Sequence, residues 1–198
     1  NLLASIYAYK NEQDLSVEHF KIALEYAYNE NNHYQSAMIN FNLANVFLSR
    51  MDYKTSYQYS KEAYNILTKY NISQNLALCN ALLAITSIKA DISIDSAYFY
   101  ALKSMELSEG DDIKNIVLSH YAMGEVLNAK NEFSNALEHL LKSLKIAKES
   151  GRVPYLISIK AAILFGYLQT EDYQNAIKFG EKALTLSNKI ENDEIKTN

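Results

Sequence analysis

Four histidines, His19, His33, His120 and His139, are the side chains of this sequence best suited to moving a proton or ligating a metal. None has a cysteine or a paired carboxylate at ligand spacing. Glu138 and His139 are adjacent, and adjacent residues of a helix point different ways. Asp111-Asp112 and Asn192-Asp193-Glu194 suit a helix start and a polar tail rather than a general acid with its base. No G-x-S-x-G elbow, phosphate loop or G-x-G-x-x-G fingerprint occurs, and Gly151-Arg152-Val153-Pro154 matches none of them. Cys79 lies in the apolar run Leu76-Ala77-Leu78-Cys79-Asn80-Ala81-Leu82-Leu83 and reads as a small buried hydrophobe. The expectation is a chain that is not an enzyme and takes neither a cofactor nor a metal.

Composition narrows the classes further. Of the 198 residues 48% are hydrophobic, enough for a sizeable buried surface, and five glycines with one proline are too few for a β-sandwich or a disordered chain. A net charge of −4 with scattered lysines leaves no basic field, so direct nucleic acid binding is not expected. No run approaches the roughly 18 apolar residues of a membrane span, so membrane insertion is not expected either. A single cysteine cannot close an internal disulfide, which leaves both cytoplasm and periplasm open.

The elements that carry these residues are announced by a repeat. Phe133-Ser134-Asn135-Ala136-Leu137-Glu138-His139-Leu140-Leu141-Lys142-Ser143-Leu144 has a near-copy in Tyr173-Gln174-Asn175-Ala176-Ile177-Lys178-Phe179-Gly180-Glu181-Lys182-Ala183-Leu184. Aligning on the small residue before the last apolar one gives Ala23, Ala63, Ser104, Ser143 and Ala183, at steps of 40, 41, 39 and 40 residues. A fixed period of this length signals stacked supersecondary units in place of one central core.

A second signal runs in the same phase. Asn31, Asn71, Gly110, Gly151 and Asn192 close the repeats, and glycine and asparagine tolerate the positive φ that a helix C′ position needs. Inside the repeats, polar pairs separate two helices: Asn11-Glu12, Met51-Asp52, Asp91 with Ser93, Asn131-Glu132 and Glu171-Asp172. Short acidic or amide side chains there can accept backbone N–H bonds and suit the helix dipole. Pro154, three residues past Gly151, suits a helix start. The pattern predicts ten helices in antiparallel pairs, over about 1–11 and 14–30, 33–50 and 53–70, 74–90 and 94–108, 112–130 and 133–149, and 154–170 and 173–190. With no composition shift, residues 1–198 read as one continuous array, with repeats over 1–31, 32–71, 72–110, 111–151 and 152–192 and a polar tail over 193–198. Asn1-Leu2-Leu3-Ala4 matches Asn42-Leu43-Ala44 of the next repeat, so the chain is expected to be a segment of a longer protein.

These residues resemble the tetratricopeptide repeat family, in which an aromatic opens the second helix, with small residues three and ten later and an apolar residue next. Phe133, Ala136, Ser143 and Leu144 match, as do Tyr173, Ala176, Ala183 and Leu184; Tyr53, Ser56, Ala63 and Tyr64 match more loosely. The first-helix pattern is met by Leu43-Ala44 with Phe47 and by Met123-Gly124 with Leu127. Small side chains let helix backbones approach while large ones fill the gaps. The family's usual tryptophan is absent, with Asn40, His120 and Lys160 in its place; the closing proline is missing, and the period is about 40 residues instead of 34. Longer repeats of this kind are similar to those of kinesin light chain, bacterial quorum-peptide receptors and the sensor regions of bacterial regulators. The resemblance implies an all-α fold, a right-handed superhelical solenoid of about five antiparallel helix-turn-helix units, that binds a peptide or protein segment or controls an attached output domain.

The resemblance also implies that the first helices line a concave wall. Its candidates are Met38, Phe41, Asn42, Asn45 and Leu48 in repeat two, and Leu118, Tyr121, Glu125 and Asn128 in repeat four. Repeat five would add Ala161, Phe165, Leu168 and Gln169, and repeat three Leu78 and Leu82. Asparagine amides both donate to and accept from a peptide backbone, and apolar pockets beside them add burial. The blander alternative is that Met38, Phe41 and Phe165 pack against neighbouring helices. Of sixteen tyrosines, Tyr57 with Tyr59 and Tyr98 with Tyr100 stand two apart, so one of each pair is expected to pack and the other to be partly exposed. The competing role for the whole chain is a scaffold that pairs with a second copy as a homodimer.

Overall fold

The computed structural model describes residues 1–108, 110, 112–150 and 155–181. It is all-α, with no strand among the described residues. Contacts divide the chain into two compact units, Asn1–Leu107 and Ser108–Asn198. The first holds α1 (Leu2–Tyr9), α2 (Gln13–Asn29), α3 (His33–Ser49), α4 (Tyr53–Lys69), α5 (Leu76–Lys89) and α6 (Ile94–Ser108). The second holds α7 (Ile113–Ala129), α8 (Phe133–Ser150) and α9 (Leu156–Gln169), and is helical again over 173–181. Each observed boundary lies within two residues of its expectation. The expected features at Gly151, Pro154, Ala183, Leu184 and Asn192, and the tail over 193–198, lie outside the described residues.

The corners explain this regularity. Positive φ occurs at Asn11, Asn31, Met51, Asn71, Asp91, Gly110, Asn131 and Glu171. Most of these positions stand 20 apart, so each helix whose end lies among the described residues, and not only every second one, ends in a left-handed residue. At the α3 corner, Met51 N–H donates to Leu48 O (3.1 Å) and Asp52 N–H to Phe47 O (3.0 Å). This is the paired bonding of a Schellman C-cap. Asp52 then starts α4 by accepting from Thr55 N–H (3.2 Å). Asn32, Ser93 and Asp172 act the same way toward Gln35, Ser96 and Asn175. The pairs at Met51-Asp52, Asp91 with Ser93 and Glu171-Asp172 therefore divide their work: the first residue ends a helix and the second caps the next. Glu12 departs from the expectation and makes no side-chain cap, in line with the preference for shorter acceptors.

Packing is spread along the helix pairs. In the first unit one apolar cluster gathers Ala4, Val17, Phe20, Ala27, Ile39, Leu43 and Val46 from α1 to α3. A second gathers Ala37, Ala63, Ile66, Leu67 and Cys79 from α3 to α5. Helices close up where side chains are small. Ser56 Oγ donates to Ala44 O (2.7 Å) and Ser104 Oγ to Ala77 O (2.8 Å) in the first unit. In the second, Ser143 Oγ donates to Val117 O (2.8 Å). Each hydroxyl bridges directly to the backbone of the opposing helix, which only a short side chain permits.

One repeat position breaks the apolar rule. Asn40, Asn80, His120 and Lys160, 40 residues apart, are all buried. Asn40 Nδ2 donates to Ser36 O (2.8 Å) and Tyr28 Oη (3.3 Å), and Asn80 Nδ2 to Leu76 O (2.9 Å). His120 turns its Nδ1 to that of His139, 2.9 Å away. The sequence shows no ligand spacing between these two histidines. The antiparallel α7–α8 hairpin brings this pair together, because the two residues lie at comparable distances on either side of the corner at Asn131.

Candidate functional site

The expected wall of α3 is present as one stripe. Met38, Phe41, Asn42, Asn45 and Leu48 recur at spacings of three and four residues, and all five are half-buried. Met38 and Phe41 also pack on the cluster containing Ala37, Ala63 and Cys79, so they serve the core as well as the surface. Asn75, in the left-handed conformation just before α5, donates its amide to Tyr34 Oη (2.8 Å) and Met38 Sδ (3.2 Å). That turn delays the start of α5 to Leu76, two residues after the expected start. Asn45 Nδ2 donates to Phe41 O (3.0 Å). The Asn42 side chain has no hydrogen-bond partner among the described residues. On α5, Leu78 is half-buried and Leu82 fully buried, so Leu82 belongs to the core.

The second unit differs from the expected open wall. Leu118, Tyr121, Glu125 and Asn128 are all buried, at 3%, 5%, 9% and 8% exposure. The α9 region covers Tyr121 and Asn128. Tyr155 stacks on Tyr121 with ring centroids 6.1 Å apart, the Ser158 side chain hydrogen-bonds the Tyr121 phenol, and Asn128 Nδ2 donates to Ala162 O (3.3 Å). Burial, and then the charge of Glu125, holds the Tyr121 phenol far above its ordinary range, so it stays neutral. Asn128 Oδ1 is buried without a partner. On α9 itself Ala161, Phe165, Leu168 and Gln169 are exposed, with Phe165 meeting Phe133 edge-to-face at 6.1 Å.

A cleft that the sequence did not suggest lies between α2 and α4. It measures about 330 Å³ and is lined by Leu24, Tyr28, Asn40, Gln58, Tyr59 and Glu62. The available signal was Asn40, a short amide where the family resemblance implies a large aromatic. Among the described residues no three histidine, cysteine or acidic side chains gather to hold a metal ion. Nor is any described helix long and apolar enough to cross a membrane.

No family model matches the sequence, and no curated protein matches it. Solved structures do share the fold. A Rap protein complexed with competence and sporulation factor matches 96% of this chain at TM-score 0.79 and 16% identity; the chain spans 53% of that protein. Putative kinesin light chain repeats from Podosopora anserina match at TM-score 0.64 and 14% identity, over 96% of this chain and 93% of that one. A signal transduction ATPase with a tetratricopeptide repeat sensor, from Pyrococcus horikoshii, matches at TM-score 0.66 and 19% identity, over 97% of this chain and 29% of that one. At these identities the likeness establishes the fold: this is a tetratricopeptide-like helical repeat protein.

Proposed function

We propose that the chain is a non-catalytic repeat module that holds a peptide or protein segment on the face of its first helices, as the sensor or regulatory region of a larger bacterial regulator. The observation that carries this reading is the α3 stripe, where the unpartnered Asn42 amide lies among half-buried Met38, Phe41 and Leu48. Such a surface offers backbone hydrogen bonds and apolar burial together, and its helical setting means that little ordering cost falls on the receptor. Within the second unit, taken by itself, exposed Phe165, Leu168 and Gln169 give α9 a face of the same mixed apolar and amide kind. Tyr121, Glu125 and Asn128 support the second unit from within, with the Asn128 acceptor in reserve for a donor. Two structural neighbours agree in kind, one being complexed with a factor and the other described as carrying a repeat sensor.

Native mass spectrometry of the purified chain tests this. A peptide-sized mass retained by the parent chain and lost from Asn42→Ala/Asn45→Ala supports the site; retention by the double variant moves it elsewhere. The same measurement addresses the scaffold reading, for which α1 supplies exposed Leu2, Ile6 and Tyr9, at 78%, 43% and 92%. A ligand-free dimer would favour it.

A further inference from the structure

The α2–α4 cleft lies on a different flank of α3 from Asn42, because Asn40, its floor, stands two residues away on the same helix. Its walls are aromatic: Tyr28 comes from α2 and Tyr59 from α4. Both are held in place. Tyr59 stacks on Phe47 with centroids 5.5 Å apart and planes at 7°, and Tyr28 Oη accepts from the buried Asn40 amide. Glu62 is the charged residue lining the cleft, and it is exposed with no ion pair among the described residues. A neighbouring cleft shares Tyr28 and Glu62 and is also bordered by Lys69, but the Lys69 ammonium sits over the Tyr70 ring, 5.2 Å from its centroid. The lining of the α2–α4 cleft therefore supplies two tyrosines, polar oxygens and a carboxylate without an ion pair, and no lysine, arginine or histidine.

We propose that this cleft is a binding subsite for the basic side chain, lysine or arginine, of a partner protein. A cation set against tyrosine faces and beside a carboxylate gains both cation–π and Coulomb attraction, whereas an anion would be repelled. The size agrees: about 330 Å³ is at the small end of ligand clefts, which run from roughly 300 to 1,000 Å³, and suits one long side chain better than a whole peptide. The space exists because Asn40 is short. A tryptophan at that position would fill it.

The test is an NMR titration with N-acetyl-arginine methylamide, using the neutral N-acetyl-citrulline methylamide as its isostere. The arginine probe is expected to shift the Tyr28 and Tyr59 rings and the Asn40 side-chain amide saturably, and the citrulline probe is not. Glu62→Gln, at an exposed position, should weaken binding by roughly two- to fivefold while leaving the spectrum folded. Asn40→Trp should abolish it. Equal shifts from both probes, no saturable shift with the arginine probe, or unchanged affinity in Glu62→Gln would each overturn the proposal. Asn42→Ala should leave the titration unchanged, so failure here is distinguishable from failure of the α3 face.

Discussion

His120 and His139 face each other across the α7–α8 hairpin with their Nδ1 atoms 2.9 Å apart, a distance that one shared proton can bridge and two cannot. Burial, then the charges of Lys142 and His139, pushes His120 down to about 4 from its ordinary 6.5. His139 is also lowered, chiefly by burial, with Glu138 opposing and Lys142 adding to the effect. A base with a depressed folded pKa binds fewer protons than the unfolded chain between those values. Stability is therefore fully present above about 6.5 and is lost as pH falls toward about 4. Solvent at half-exposed His139 screens part of the effect, leaving a loss of roughly 1 kcal/mol, or about 2–4 °C in melting temperature. Thermal melts at pH 7.5 and 5 should show this decrease, and His120→Gln should reduce it. An unchanged pH dependence in the variant would show that the pair is not its source.

Met51 and Glu171 hold φ of 59° at corners where asparagine or glycine stands in other repeats. A left-handed residue with an unbranched, non-amide side chain carries roughly 1 kcal/mol of strain. Met51→Gly and Glu171→Asn should each stabilise by about 0.5–1 kcal/mol, read as a higher urea midpoint at constant m-value. A lower midpoint would mean that the Met51 side chain, despite its 74% exposure, makes contacts that outweigh the strain.

Two glycines should respond to alanine with opposite signs. A Cβ on Gly124 would lie 2.4 Å from Leu140 Cγ and 3.3 Å from Ala136 O, with Leu140 itself fully buried. Gly124→Ala should cost about 1–3 kcal/mol through overpacking at the α7–α8 crossing. At Gly180 the nearest atom would be 3.8 Å away, so Gly180→Ala should gain up to about 1 kcal/mol of helix propensity. Chemical denaturation of both variants checks the pair.

Cys79 is 1% exposed, and burial pushes its thiol up to about 12. It should resist a disulfide reagent at pH 8 in the native chain and react promptly once unfolded in urea. Fast native labelling would show that α5 opens locally, far below the global unfolding free energy.

The helices and corners were legible in the sequence because they depend on local preferences. Asn31, Asn71 and Gly110 accept positive φ on their own account. The bonds that close each corner, such as Asp52 N–H to Phe47 O, reach only five residues. The small-residue period at Ala63, Ser104 and Ser143 was legible for a related reason, since one close crossing recurs in each unit. Tertiary structure decided which faces stay open. The α3 and α7 stripes look alike in sequence, yet α9 covers Tyr121 and Asn128 while Asn42 stays half-exposed. The same holds for the contacts that carry chemistry. His120 meets His139, and Tyr28 shares a cleft with Tyr59 and Glu62, because separate helices bring them together, and burial by a distant element leaves no mark on a helix's own periodicity.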